Sequence, residues 1–152
     1  EELGELRLRR KSVDGNAIAC EASIRLSIHT GEERWRTKAE RALAGFPDYG
    51  TDYGHHTAHY AVALDWLIRP ATEITIIAPT AAGWVEAMRS VALGTYVPRR
   101  VVRWYDPELD REAIRTRGFD TLASPCALVA RKGRVLPPAR SPSELAQRLG
   151  QL

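Results

Sequence analysis

The sequence predicts an α+β protein in two parts. Residues 1–70 form a helical segment, an αα-hairpin plus a third helix, and residues 71–152 form a small β-α-β-α-β-β-α module. Three observations carry this. Apolar residues recur at helical spacing up to Ile68, β-branched runs appear from Glu73 onward, and Pro70 stands between the two regimes. The chain has 152 residues, 44% hydrophobic and 27% charged, the balance of a folded domain rather than a disordered one.

The first helix spans residues 14–30, with Asp14 as the expected N-cap and Gly31 as the stop. Glu21, Arg25 and His29 make one polar stripe. Ala17, Ile18, Cys20, Ile24, Leu26 and Ile28 cover much of the rest, so this helix expects neighbours on more than one side. The second helix runs from Glu33 to Phe46 with Trp35, Ala39, Ala42, Leu43 and Phe46 on one stripe. The short link through Gly31 predicts an antiparallel pair. Residues 47–54, rich in Pro, Gly and Asp, read as a loop, and a nearly apolar third helix follows from His56 to Ile68.

In the second part, Glu73–Ala78 reads as a strand, residues 82–94 as a helix and Val101–Trp104 as a second strand. Asp106 and Pro107 are expected to cap and open a short helix reaching Thr116. Cys126–Arg131 and Arg134–Leu136 flank Lys132-Gly133, a hairpin signal. Ser141-Pro142-Ser143-Glu144 is a capping box for the final helix. A strand–helix–strand crossover implies parallel pairing, and the hairpin then adds antiparallel strands. This order is that of the thioredoxin fold, with Pro125 where that fold carries a cis-proline. The segment Pro79 to Trp84, where a thioredoxin holds its two cysteines, contains none, so the module is read as lacking CxxC and dithiol exchange.

The stretches DGNAIACEASIRLSIHTGEERWRTKAERALAGF, AVALDWLIRPATEITIIA, YVPRRVVRW with the following DPE, and SPCALVARKGRVLPPARSPSELAQRL cover most of residues 13–150. In them the chain resembles the C-terminal part of the spermatogenesis-associated, thioredoxin-domain-containing family. The resemblance implies a larger protein that joins an N-terminal thioredoxin-like domain to a six-hairpin α/α toroid like those of sugar epimerases and ends in a small α/β segment. Members often carry two cysteines on the last strand pair; Ala130 and Val135 match those positions here. The expectation is therefore a non-catalytic structural and interaction part of a larger protein. The alternative is a contribution to a sugar-isomerising or epimerase-like toroid enzyme. The absence of an initiating Met fits a piece of a longer chain.

Candidate sites can be weighed by residue type. His55 and His59, with His56 between, could share a helix face and bind a metal, but H-H-x-x-H lacks the glutamate of a zinc hydrolase motif, and helix-lining histidines are the simpler reading. Cys126 follows Pro125 at the mouth of a thioredoxin-like site, and nothing in the sequence lowers its thiol pKa; Cys20 reads as a packed small hydrophobe. Asp14, Asn16, Asp65 and Trp66 could line a carbohydrate-facing pocket, although no spacing brings them together. Arg99, Arg100, Arg103, Trp104 and Tyr105 mix cations with aromatics as nucleic-acid binders do, yet alternation places Arg103 and Tyr105 opposite Val102 and Trp104, as in a half-buried strand. From residue 73 onward 12 basic residues face 8 acidic ones, too mild an excess for a nucleic-acid stripe.

No cofactor is expected. No apolar run reaches the roughly 18–20 residues that span a bilayer, Glu1–Lys11 has no signal-peptide core, and the two distant cysteines fit a reducing cytoplasm. The apolar helices at 16–28 and 57–68 predict self-association, most simply as a dimer, or burial against the remainder of a larger protein.

Overall fold

The computed structural model describes residues 12–46, 57–80, 83–120, 122 and 124–152. It is a mixed helix-and-sheet protein whose chain divides into two compact units, Glu1–Arg69 and Pro70–Leu152.

In the first unit, α1 (Val13–Thr30) packs against both α2 (Glu33–Leu43) and α3 (Ala58–Ile68). The cap of α1 corrects the sequence reading. Ser12, not Asp14, is the N-cap, its Oγ accepting from the Gly15 amide at 3.1 Å. Asp14 lies in the first turn, where its charge faces the positive end of the helix dipole. Gly31 ends α1 at φ 79°, its amide bonded to the Ser27 carbonyl, a left-handed stop that costs a residue without Cβ nothing.

Ala17, Cys20, Ile24 and Ser27 form the buried stripe of α1, at spacings of three and four. Small residues at its N-terminal end let α2 approach closely enough for the Cys20 thiol to donate to the Ala39 carbonyl at 3.6 Å. Helix α2 stops at Leu43, short of Phe46, because Ala44 and Gly45 turn. Tyr60 of α3 donates its hydroxyl to the Leu43 carbonyl at 3.3 Å, and the Arg36 guanidinium donates to the Leu67 carbonyl, so both ends of α3 are tied to α2. Tyr60, Ala63 and Trp66 are its buried positions.

In the second unit four strands form one sheet: β1 (Thr72–Ile77), β2 (Arg100–Tyr105), β3 (Cys126–Arg131) and β4 (Arg134–Val135), in the order β2-β1-β3-β4. β1 and β2 are parallel; β1–β3 and β3–β4 are antiparallel. Helix α4 (Gly83–Gly94) makes the crossover from β1 to β2, α5 (Arg111–Thr116) follows β2, and α6 (Pro142–Leu149) closes the chain. Lys132 and Gly133 both take positive φ, 53° and 74°, the geometry that lets a two-residue turn follow the sheet's twist. Ser141 caps α6 by accepting from the Glu144 amide, and Glu144 reaches back to the Arg140 amide at 2.8 Å.

Strand alternation splits the core. Ile74, Ile76, Ala127 and Val129 pack with Met88 and Ala92 of α4 and with Leu145 and Leu149 of α6. On the other face Ile77, Cys126 and Leu128 meet Ile114 of α5. β2 alternates as a half-buried strand: Val101 and Arg103 are the buried positions, and Trp104 is exposed. A buried guanidinium needs a counter-charge, and Arg103 has it in Glu73 on β1.

Candidate functional site

The carboxyl ends of β1 and β2 and the start of β3 meet at one end of the sheet, where open α/β sheets bind ligands. Asp106, directly after β2, organises this end. Its Oδ2 accepts from the Thr80 amide at 2.8 Å and the Thr80 hydroxyl at 2.7 Å. Its Oδ1 accepts from the amides of Glu108 at 2.9 Å and Leu109 at 3.4 Å. These bonds hold the carboxyl down to about 2, the Thr80 hydroxyl contributing most.

This corrects the expected role of Asp106 and Pro107. The carboxylate is spent on a turn and on the loop after β1, so α5 does not begin until Arg111. Asp110 occupies the cap position and uses its own carboxylate on the Asp106 amide at 2.8 Å.

The loop before β3 is fastened from both sides. The Ser124 hydroxyl donates to the Ile77 carbonyl at 3.3 Å, and the Ser124–Pro125 bond is cis. Arg140 donates from Nη1 to the Pro125 carbonyl at 3.1 Å, while its own carbonyl accepts from the Trp84 indole at 3.0 Å. Cys126 is fully buried. Burial pushes its thiol pKa up, and the positive charge of Arg140 offsets this only in part. All four histidines precede residue 60, so this unit holds no imidazole to take a proton from the thiol. Beside the loops lies a cavity of about 290 Å³ lined by Ile77, Pro107, Ile114, Phe119 and Leu122 together with Arg111, Arg115, Asp120 and Ser124. Its walls mix apolar side chains with charged and hydroxyl groups, and the Ser124 hydroxyl among them is spent on the Ile77 carbonyl.

The remaining candidates are scattered. Asp14 and Asn16 sit at the start of α1, with the Asn16 amide donating to the Ser12 carbonyl at 2.7 Å. Asp65 pairs with Arg69 at 3.1 Å, and Trp66 is buried beneath Arg25, 4.8 Å from its ring centre. Arg25 lies eleven residues along α1 from Asp14, about 16 Å at 1.5 Å per residue, so the two pairs do not share a pocket. His55 and His56 lie outside the described residues, and His59 is exposed on α3. Among the described residues no group of three metal-ligating side chains converges, and no helix is long and apolar enough to cross a membrane.

In the basic–aromatic cluster, Arg100 spends one nitrogen on the carbonyls of Ala92, Leu93 and Thr95 at 2.7–3.0 Å, Arg103 is committed to Glu73, and the Trp104 indole donates to the Ala78 carbonyl at 3.0 Å. Sequence reasoning missed Thr80 and Arg140. An Asp-Pro pair after a strand was a usable signal for the Asp106 turn, but nothing local marks its partner 26 residues earlier. No family model matches the chain, and no curated protein sequence matches it.

Proposed function

We propose that this chain is a non-catalytic structural and interaction part of a larger thioredoxin-domain-containing protein. In this reading the second unit is a thioredoxin-like module without a dithiol, and the first is a toroid-like αα-hairpin with a third helix. One observation carries it: the strand order β2-β1-β3-β4 is built on a β-α-β-α-β-β-α path whose first strand exits into a cysteine-free segment. The second thiol needed for exchange is missing, and the cysteine nearest that end is buried with its pKa raised. The toroid-enzyme alternative gains no support from this chain, because Asp14 and Asn16 stand far from Asp65 and Trp66.

The interaction half of the reading rests on the helices. Ile18 and Leu26 of α1 and Val62 and Ile68 of α3 are exposed. Each is only partly exposed and so forgoes roughly 0.5–2 kcal/mol of further burial while that part stays in water. Covering them against a second copy, or against the remainder of a larger protein, recovers that. Sedimentation equilibrium at micromolar concentration tests it: a dimer weakened by Ile18→Glu with Val62→Glu is expected, and a clean monomer that resists aggregation overturns self-association. An insulin-reduction assay tests the rest: turnover abolished by Cys126→Ser would overturn the non-redox reading.

A further inference from the structure

We infer that the outer edge of β2 is a docking site for an extended acidic and apolar segment of another polypeptide, which adds to the sheet as a fifth strand. The inference rests on the interaction reading only in taking the chain to have a partner; it concerns a different surface from α1 and α3.

The backbone defines the edge. Thr72 and Ala78 donate their amides to the carbonyls of Arg99 and Tyr105 at 3.0 and 3.1 Å. Polar groups alternate sides along a strand, so those of Val101, Arg103 and Tyr105 face β1, and the N–H and C=O of Arg100, Val102 and Trp104 face outward. Among the described residues no strand pairs with that side. Edge strands are ordinarily blunted by proline, a bulge or charges projecting from the edge. β2 has no proline, and its ladder with β1 runs without a bulge. Its two arginines are turned away, Arg100 onto the end of α4 and Arg103 onto Glu73.

Side chains supply the rest of the site. A recess of about 390 Å³ opens beside this edge, lined by Arg89 and Leu93 of α4 and by Val102, Arg103 and Trp104 of β2. Leu93 is 51% exposed and Trp104 38%. Alternate residues of an added strand would sit against them, which asks for apolar side chains at every second position. Charge chooses the occupant. On and beside the strand, Arg89, Arg99, Arg100 and Arg103 stand against Glu73, Glu86 and Asp106, a net positive charge, and Arg89 is held by an exposed 3.4 Å pair to Glu86. A second copy would bring the same arginines together, whereas an acidic segment is attracted.

The test uses the full chain and fluorescence anisotropy with a labelled hexapeptide of alternating glutamate and valine. Binding is expected to weaken at least about tenfold when alternate peptide amides are methylated, which removes donors but keeps charge and apolar content. Arg89→Glu, on the surface of α4, should weaken it too. Val102→Pro, whose lost N–H serves no bond within the sheet, should abolish it. Equal binding of the methylated peptide, or of a valine–lysine peptide, overturns the proposal. So does equal or tighter binding of a dodecamer of thymidylate, which would assign the arginines to phosphate. A dimer broken by Val102→Pro but not by the helix substitutions would give the edge to a second copy. Dimerisation through α1 and α3 is scored separately, so either reading can fail alone.

Discussion

Asp106 and Thr80 clasp the ends of two parallel strands: one carboxylate oxygen receives both the amide and the hydroxyl of the same threonine. The clasp fixes the loop after β1 against the turn after β2 and makes the carboxyl a stronger acid than a free aspartate.

Its pH dependence follows. The folded pKa of about 2 lies below the unfolded value, so the clasp stabilises fully above roughly pH 4 and fades as pH falls toward 2. Thr80→Val removes the largest cause of the shift. The Asp106 carboxyl should then titrate higher by NMR, and acid unfolding of the second unit should begin at a higher pH. An unchanged titration would mean that the hydroxyl contributes nothing.

The caps of α1 can be told apart by substitution. Ser12→Ala should cost about 1 kcal/mol in denaturant unfolding of the helical unit. Asp14→Asn removes only a dipole interaction at an exposed site and should cost about 0.3–0.5 kcal/mol. The reverse order would restore Asp14 as the cap.

Leu145 is fully buried between the sheet and α4. Leu145→Ala should destabilise the second unit by about 2–5 kcal/mol, the range for opening a cavity in a packed core. Leu109, 80% exposed on the Asp106 turn, should tolerate the same change within about 0.5 kcal/mol.

Both thiols should resist modification. Cys20 and Cys126 are buried, and burial raises both pKa values. A dithionitrobenzoate assay at pH 8 should release no thiolate from the native chain and two equivalents after denaturation. Rapid native labelling lost in Cys126→Ala would mark that thiol as reactive.

The element order was legible because each element carries its own local signal: β-branched residues for β1, the capping box for α6, Lys132-Gly133 for the hairpin. Boundaries failed where a side chain had two possible uses. The cap expected of Asp106 falls to Asp110, because Thr80, a tertiary partner no periodicity encodes, takes the Asp106 carboxylate. At α1 the cap given to Asp14 falls to Ser12, which the sequence reading passed over. Alternation on β2 was legible but not which face is buried: the Arg103–Glu73 pair holds the arginine inside, and Trp104 stands at the rim. The candidate pocket of Asp14, Asn16, Asp65 and Trp66 depended on helix register, which sequence alone does not set.

Arg100 has one more implication. Its guanidinium grips three carbonyls at the exit of α4, so the chain leaving that helix and the chain entering β2 are anchored to one another whatever lies between. Tyr96, 90% exposed, lies within that interval. A loop with both ends already fixed loses only the logarithm of its length when it grows. This is therefore the position at which a foreign sequence could be spliced in, or new termini opened by circular permutation, with the sheet left whole.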